Sequence, residues 1–395
     1  MKKFLILGAG VYQLPLIKKA KELGHYVIVA SIPGYYPGFR FADRVYYEDT
    51  TNTEAIYKIA KKEHIDAICT LGTDVAIKTI GYICEHMDLV GISERAGTLS
   101  TNKKLMKEAF VEHHVKTGSF KTVYSLEEAY DAFDVLPKPV VFKAVDSSGG
   151  RGVIKISNKY EVQDAYTYSI QNTNKEYIIA EEYIEGEKIC AEAAVVNGKL
   201  SFFLSNGNIL YPGKIDIPIG HYTPCPIIDH SIHEKIKLEL EKVIEALEID
   251  NCALNTDLIV HDDDVYVIEA GARAGGTNLA DLVSVAYETD YYEFILNLAL
   301  GEAKPFAQNI IHNCASQILY TEHSGYLKEC SIKKNDERIV ELRCDYNPTD
   351  RVKKFEVGPD RIGHLLIKCS DNEDPLAALE SIKKNITIEV SRDPV

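Results

Sequence analysis

Apolar positions along this chain follow two rhythms, short uninterrupted runs and helical spacing. Phe4-Leu5-Ile6-Leu7 is a buried-strand run within residues 3–7, Gly8 to Gln13 reads as a tight turn, and residues 14–23 show helical spacing up to Gly24. His25 to Ala30 is a second strand, which completes a βαβ unit. The pattern repeats with helix 53–63, strand Ile65 to Thr70, helix 74–86 and a short strand Leu89-Val90-Gly91. It predicts a small doubly wound parallel sheet over the first 95 or so residues.

Thr101-Asn102 then caps a predicted helix from Lys103 to about His114. From Thr122 the pattern becomes α+β. Val140 to Ala144 and Val153 to Ile156 are β-rich runs around a glycine-rich turn, followed by helix 161–171 and strand Tyr177 to Ala180. Ile189 to Val196 turns at Asn197-Gly198 into Leu200 to Leu204. Helix 231–247, strands 252–260 and 265–270, and one helix 278–300 follow; after Pro305 come short strands and a late helix, Pro375 to Lys384. The expected units are 1–98, 99–303 and a small C-terminal domain 304–395, in keeping with a chain of 395 residues.

Aliphatic and aromatic residues at 46% and charged residues at 26% give the balance of a folded globular chain. The formal charge of −15, with no dense Lys/Arg stripe, disfavours nucleic acid and leaves small molecules as the expected partners. Nine scattered cysteines, never spaced as C-x-x-C, fit a reduced, cytoplasmic protein. The apolar run after Met1-Lys2-Lys3 reads as a strand rather than an export signal, and no run approaches the ~18 apolar residues of a membrane span.

Gly8-Ala9-Gly10 invites a dinucleotide reading, but Gln13 replaces the third glycine, and strand two ends in Ala30-Ser31 without an acid for a ribose. A structural or substrate-facing turn is the better expectation. Asp146 to Val153 (DSSGGRGV) lies between strands, with little side-chain bulk and several backbone N–H groups, and suits a polyphosphate. It lacks the Gly-Lys-Ser/Thr ending of a P-loop, and a plain β-turn is the alternative. Lys143, inside an apolar strand, needs an anion, either a phosphate or a buried carboxylate.

Asp257 and Glu269 lie on strands joined by Asp262-Asp263-Asp264. Centred on Asp263, the hairpin places them six residues to either side, opposed on one face. Opposed carboxylates, with Cβ atoms roughly 4.5–5.5 Å apart, repel unless a cation lies between them, and magnesium is the hard ion that suits such a pair. Residues 262–264 better fit a merely solvated acidic turn. Arg273, in the glycine-rich segment that follows, is placed to clamp a transferring phosphoryl group, or else to neutralise the hairpin.

In order and spacing these segments resemble the ATP-grasp superfamily, in particular carboxylate–amine ligases related to the L-amino acid ligases, biotin carboxylase and carbamoyl phosphate synthetase. The resemblance covers nearly the whole chain. It implies an α/β protein with an N-terminal Rossmann-like domain that uses no dinucleotide, a two-lobed α+β ATP-grasp domain and a small β-rich C-terminal domain carrying Asp360-Arg361-Ile362-Gly363-His364. It also implies ATP as nucleotide, with Lys103 and Lys143 on its phosphates and Ser148, Gly149, Gly150 and Gly152 in the covering loop. Ala180 to Glu187, Glu181 among them, would form the hinge between the lobes, where the backbone around Glu182, Tyr183 and Ile184 would read adenine and Glu187 would hold the ribose. Asp257 and Glu269 would bind magnesium, with manganese as the alternative, and Arg273 and Lys143 would carry catalysis. One departure stands out: the family usually continues Glu-x-Asn-Pro-Arg, whereas here Glu269-Ala270-Gly271-Ala272-Arg273 has glycine in place of the asparagine that helps bind a second metal.

The activity so implied joins a small carboxylate, amino acids among the candidates, to an amine through an acyl phosphate; a homodimer is what the resemblance suggests. Bicarbonate activation, a nucleotide-binding regulator without turnover and a nicotinamide-dependent dehydrogenase are the alternatives. Lys214 and His221, in a segment expected to form a loop, and Tyr35, Tyr36 and Arg40 are weaker candidates for substrate contact.

Overall fold

The computed structural model describes residues 1–147, 149–212, 217–305 and 310–392. The N-terminal unit contains β1 (Lys3–Leu7), α1 (Leu14–Glu22), β2 (Tyr26–Ser31), β3 (Arg44–Tyr47), α2 (Thr53–Glu63), β4 (Ala67–Cys69), α3 (Ile77–Met87) and α4 (Glu94–Leu99). Its sheet is parallel, in the order β3-β2-β1-β4. Phe4, Leu5, Ile6 and Leu7 are fully buried, as an apolar run in a parallel sheet should be. Two details differ from expectation. Arg44–Tyr47 adds an edge strand, and Leu89-Val90-Gly91 is a turn after α3, too short to pair once Asp88 has ended the helix in a left-handed conformation.

The middle of the chain opens with α5 (Lys103–Glu112), β5 (Phe120–Val123), α6 (Leu126–Val135), β6 (Val140–Lys143), β7 (Val153–Ile156), α7 (Val162–Ile170) and β8 (Ile178–Glu182). Its strands form an antiparallel sheet ordered β5-β8-β6-β7, and Phe133, Phe142 and Val162 belong to the core that α6 and α7 complete against it. Asn102 caps α5 as expected, accepting from the N–H groups of Lys104 and Leu105.

Next come β9 (Glu187–Val196), β10 (Lys199–Leu210), β11 (Pro218–Thr223), α8 (His230–Ala246), β12 (Cys252–His261), β13 (Asp264–Gly271), α9 (Leu279–Ala286) and α10 (Tyr291–Leu300). The expected single helix 278–300 is two helices. Glu288 takes a positive φ of 49°, and Asp290 restarts the helix by accepting from the N–H of Glu293. The remaining elements are β14 (Asn313–Leu319), β15 (Gly325–Ile332), β16 (Ile339–Cys344), β17 (Arg351–Val352), β18 (Gly363–Cys369), α11 (Pro375–Lys383) and β19 (Ile386–Ser391). Among the described residues, one eight-stranded sheet runs β13-β12-β9-β10-β11-β14-β18-β16, so its ladder continues across residue 304 through the β11–β14 pairing. A smaller sheet, β17-β15-β19, stands beside α11. No helix among the described residues is long and apolar enough to cross a membrane, and all nine cysteines are free thiols.

Candidate active site

The β12–β13 hairpin turns on two residues, Asp262 and Asp263, both with positive φ (46° and 62°). Its ladder starts at His261 opposite Asp264 and would pass Asp257 by, were it not for a bulge next to Leu258 that shifts the register by one. Asp257 and Glu269 therefore end up directly opposed, as expected, although the hairpin is not centred on Asp263 and the bulge restores the pairing. Asp257 is exposed to solvent on one side, yet protein surrounds its carboxylate on the others. Burial and the neighbouring Glu269 raise its pKa well above the carboxylate range. Glu269 moves the opposite way, held charged chiefly by Lys103, whose Nζ lies 2.7 Å from its Oε2.

Two further lysines share one carboxylate. Lys143 Nζ is 2.8 Å and Lys107 Nζ 3.3 Å from Glu181 Oε2, and all three side chains are buried. Burial opposes the charge on Glu181, but the two ammoniums outweigh it and lower its pKa. The anion that Lys143 requires is thus supplied within the protein. Its other Glu181 oxygen, Oε1, has no hydrogen-bond partner among the described residues. The loop from β6 to β7 takes positive φ at Gly149 (66°), Gly150 (75°) and Gly152 (68°), a course only glycine follows cheaply. Its base is anchored: Thr173 Oγ1 donates to Asp146 at 2.5 Å, and Ala144 N donates to Gly152 O at 2.9 Å.

Arg273 is held on three sides. Its Nε and Nη2 donate to the two oxygens of Asp74 at 2.7 and 3.0 Å, and its Nη1 donates to Asn255 Oδ1 at 3.0 Å. Burial opposes its charge, but Asp74 more than offsets that and raises the guanidinium pKa further. Behind Asn255 lies Glu192, fully buried on β9 and accepting from Gly275 N (2.9 Å), Tyr291 OH (3.0 Å) and Asn255 Nδ2 (3.2 Å). Burial pushes its carboxyl up to about 7. Sequence reasoning missed Asp74, Lys107, Asn255 and Glu192. Only Glu192 carried a signal, an acid inside the apolar run Ile189 to Val196.

Residues 100–277 match the ATP-grasp domain family. The crystal structure of phosphoribosylglycinamide synthetase from Anaerococcus prevotii superposes with a TM-score of 0.84 at 33% identity, covering 99% of this chain and 100% of that one. The chain belongs to the ATP-grasp family. It is thereby an ATP-grasp ligase, one of the enzymes that form C–N bonds with release of ADP. It is also 24% identical, over 352 residues and 84% of each chain, to the formate-dependent phosphoribosylglycinamide formyltransferase of Methanocaldococcus jannaschii. The L-amino acid ligase of Bacillus licheniformis, at 18% identity and a TM-score of 0.80 over 99% of each chain, has the same fold.

In this ATP-grasp chain the β8–β9 connection, residues 183–186, joins the four-stranded sheet to the eight-stranded one; of the residues expected to form a hinge, Glu181 and Glu182 end β8 and Tyr183 and Ile184 open the connection. The N–H groups of Glu182 and Tyr183 already donate to Ser119 O (2.9 Å) and Pro139 O (3.0 Å). Ile184 is buried, Glu187 is exposed at the start of β9, and Lys155 stacks over the Tyr183 ring at 3.5 Å. Ser148 and Lys214 lie outside the described residues. His221 is not in a loop: it sits on β11, buried, with Nδ1 2.9 Å from Asn208 Oδ1, and burial pushes its pKa down to about 3. It is a neutral sheet residue. In the N-terminal turn Gln13 fills the space of a third glycine, accepting from Gly10 N at 2.9 Å and donating to Leu71 O, so the turn's inward N–H is already used.

Proposed function

We propose that the chain phosphorylates a small carboxylate with ATP and transfers the acyl group to an amine. The observation that carries this reading is the opposed pair Asp257 and Glu269, with Lys103 on Glu269 and Arg273 close enough to act on both carboxylates. Two carboxylates, one of them driven toward its protonated form by burial and its neighbour, suit a divalent cation shared with polyphosphate oxygens. Among the described residues no group of three acidic, histidine or cysteine side chains encloses such an ion, and magnesium bound by one or two carboxylates needs no such cage. Magnesium held there would neutralise charge on the phosphates.

The chain's own residues then position and stabilise. Lys103 and Lys143, paired with Glu269 and Glu181 in this structure, would offer their remaining N–H groups to the phosphates from α5 and β6, and Gly149, Gly150 and Gly152 allow backbone N–H groups to close over them. Ile184 and its neighbours hold the adenine, and Glu187 the ribose. Arg273 directs its cation at the phosphoryl group as a substrate carboxylate oxygen attacks phosphorus and the bond to the ADP oxygen breaks. An amine next attacks the acyl carbon, phosphate leaves, and the amine proton passes to solvent. The residues in hand supply orientation and charge, and no nucleophilic side chain is required.

The substrate end is supported by a cleft between the N-terminal turn and α9. Tyr12, Asn278, Tyr292 and the buried Arg361 line it. Arg361 Nη1 donates to Asn278 Oδ1 at 2.9 Å, and its Nε faces Asp345 Oδ2 at 3.4 Å. Thr277 and Asn278 both adopt left-handed φ (54° and 63°), unusual for two successive non-glycine residues. An anionic group of the substrate suits this end. The acyl-phosphate step is tested with a pool of amino acids and small carboxylates carrying 18O in their carboxyl groups. Label appearing in the released phosphate supports the reading; unlabelled phosphate with product formed would overturn it. Bicarbonate-stimulated release without any amine would point instead to a carboxylase-like reaction.

A further inference from the structure

Gly271 has no conformational need to be glycine, since it lies in β13 and its φ is outside the left-handed region. What it leaves is space. A Cβ there would stand 2.9 Å from Asp74 Oδ1, 3.3 Å from Arg273 Cζ and 3.4 Å from Arg273 Nε, against the middle of their two-pronged ion pair. Asp74 belongs to the loop between β4 and α3, and this loop is fastened to the Arg273 segment by backbone. Leu71 bridges to Ala274, and Gly72 N donates to Ala274 O at 3.0 Å. The carboxylate therefore arrives at a fixed place.

From the other side, the amide of Asn255 is oriented by donating Nδ2 to Glu192 Oε2 (3.2 Å) and Cys190 Sγ (3.0 Å), which turns Oδ1 toward Arg273 Nη1. The backbone of Arg273 also folds back, its N–H donating to Gly271 O at 2.8 Å. Fork, amide and a longer Nη1 contact to Ala274 O (3.5 Å) together stop the planar guanidinium from swinging, and of its five N–H groups the second on Nη2 is left pointing in one direction. Resting on the reading of Arg273 as the phosphoryl-facing cation, we propose that Asp74, carried by the N-terminal sheet, is a positioning residue that sets the direction of Arg273, and that Gly271 is the vacancy it needs. The N-terminal unit thereby takes part in phosphoryl transfer without touching the nucleotide.

The test compares wild type, Asp74→Asn, Gly271→Ala, Arg273→Lys and Asp74→Asn/Arg273→Lys. ADP release from MgATP with pooled amino acids and carboxylates is measured beside MgADP affinity and the side-chain spectrum of protein labelled with 15N-arginine. Asp74→Asn keeps size and loses the charge; it is expected to slow release by about 10- to 100-fold, the scale of a misplaced catalytic group, with MgADP affinity near that of wild type. Gly271→Ala, which keeps both partners, shifts release in the same direction. In the Arg273→Lys background Asp74→Asn adds little. The Nε–H signal that Arg273→Lys removes is expected to exchange slowly in wild type and fast in Asp74→Asn. A signal equally protected in Asp74→Asn, or an Asp74→Asn effect that multiplies in full on Arg273→Lys, overturns the proposal. No ADP release from wild type, with the protected signal present and lost in Asp74→Asn, would sink the ligase reading and leave the clamp standing.

Discussion

At Asp257 two demands meet that no single protonation state satisfies. Burial and Glu269 favour the neutral acid, whereas a metal ligand must be charged. The sign follows: magnesium competes with a proton, so affinity for MgADP should rise with pH through the raised pKa of Asp257 and level off above it. Calorimetric titration from mildly acidic to mildly alkaline pH checks this, and Asp257→Asn should both weaken binding and flatten the curve. Glu192 gives a stability counterpart. Its folded pKa of about 7 lies above its unfolded value, so the native state holds the extra proton and stability falls as pH rises between the two. Glu192→Gln should remove that slope and leave the protein more stable above neutrality, by up to about 3 kcal/mol if the whole shift is realised. Thermal melts across pH decide it; an unchanged slope in Glu192→Gln would contradict the assignment. Asp257 and Glu269 were legible because acids embedded in apolar strands need a reason. Asp74 was not, since a polar residue in a Gly-Thr-Asp loop looks ordinary until the fold brings Arg273, 199 positions away, against it.

Elements were read most reliably where pattern and punctuation agreed, as in β1, the Asn102 cap and the Asn197-Gly198 turn. They were lost where a strand is short and polar. β11 carries Gly220, His221 and Thr223, which suggest a loop by composition, and it is a strand because β10 and β14 flank it on both sides. The helix over 278–300 was drawn through Asp290 because its apolar residues keep helical spacing on both sides of the break. Asp290→Ala should cost roughly 1 kcal/mol through the lost cap, read as a lower midpoint in denaturant. The glycine-rich loop allows a sharper comparison. At Gly149 a Cβ meets nothing within 4 Å, whereas at Gly152 it would lie 2.6 Å from Ala144 Cβ and 2.7 Å from Asn172 Cβ, and both positions have positive φ. Gly149→Ala should therefore cost about 1 kcal/mol of backbone strain, and Gly152→Ala clearly more, with MgATP affinity falling in the same order. Equal effects would mean that packing beneath the loop does not hold it.

On the scale of the whole molecule, the proposed site draws on parts distant in sequence. Lys103 comes from α5, Lys143 from β6, the carboxylate pair from β12 and β13, Asp74 from the N-terminal unit and Arg361 from the segment before β18. Periodicity suggested a boundary near residue 304 but not the sheet that spans it, because the β11–β14 pairing is long-range and leaves no local mark. A nucleotide that contacts several of these parts binds the assembled cleft and not the unfolded chain. MgADP at a hundredfold excess over its Kd should therefore raise stability by about 2.7 kcal/mol, seen as a concentration-dependent rise in Tm that Glu269→Ala abolishes.

The most direct measurement of the central claim is ADP and phosphate release from MgATP across pooled amino acids and small carboxylates, for wild type beside Glu269→Ala. Release that needs both a carboxylate and an amine, and disappears in Glu269→Ala, is the predicted result. Nucleotide binding with no release under any pairing, or release that Glu269→Ala leaves intact, would contradict it.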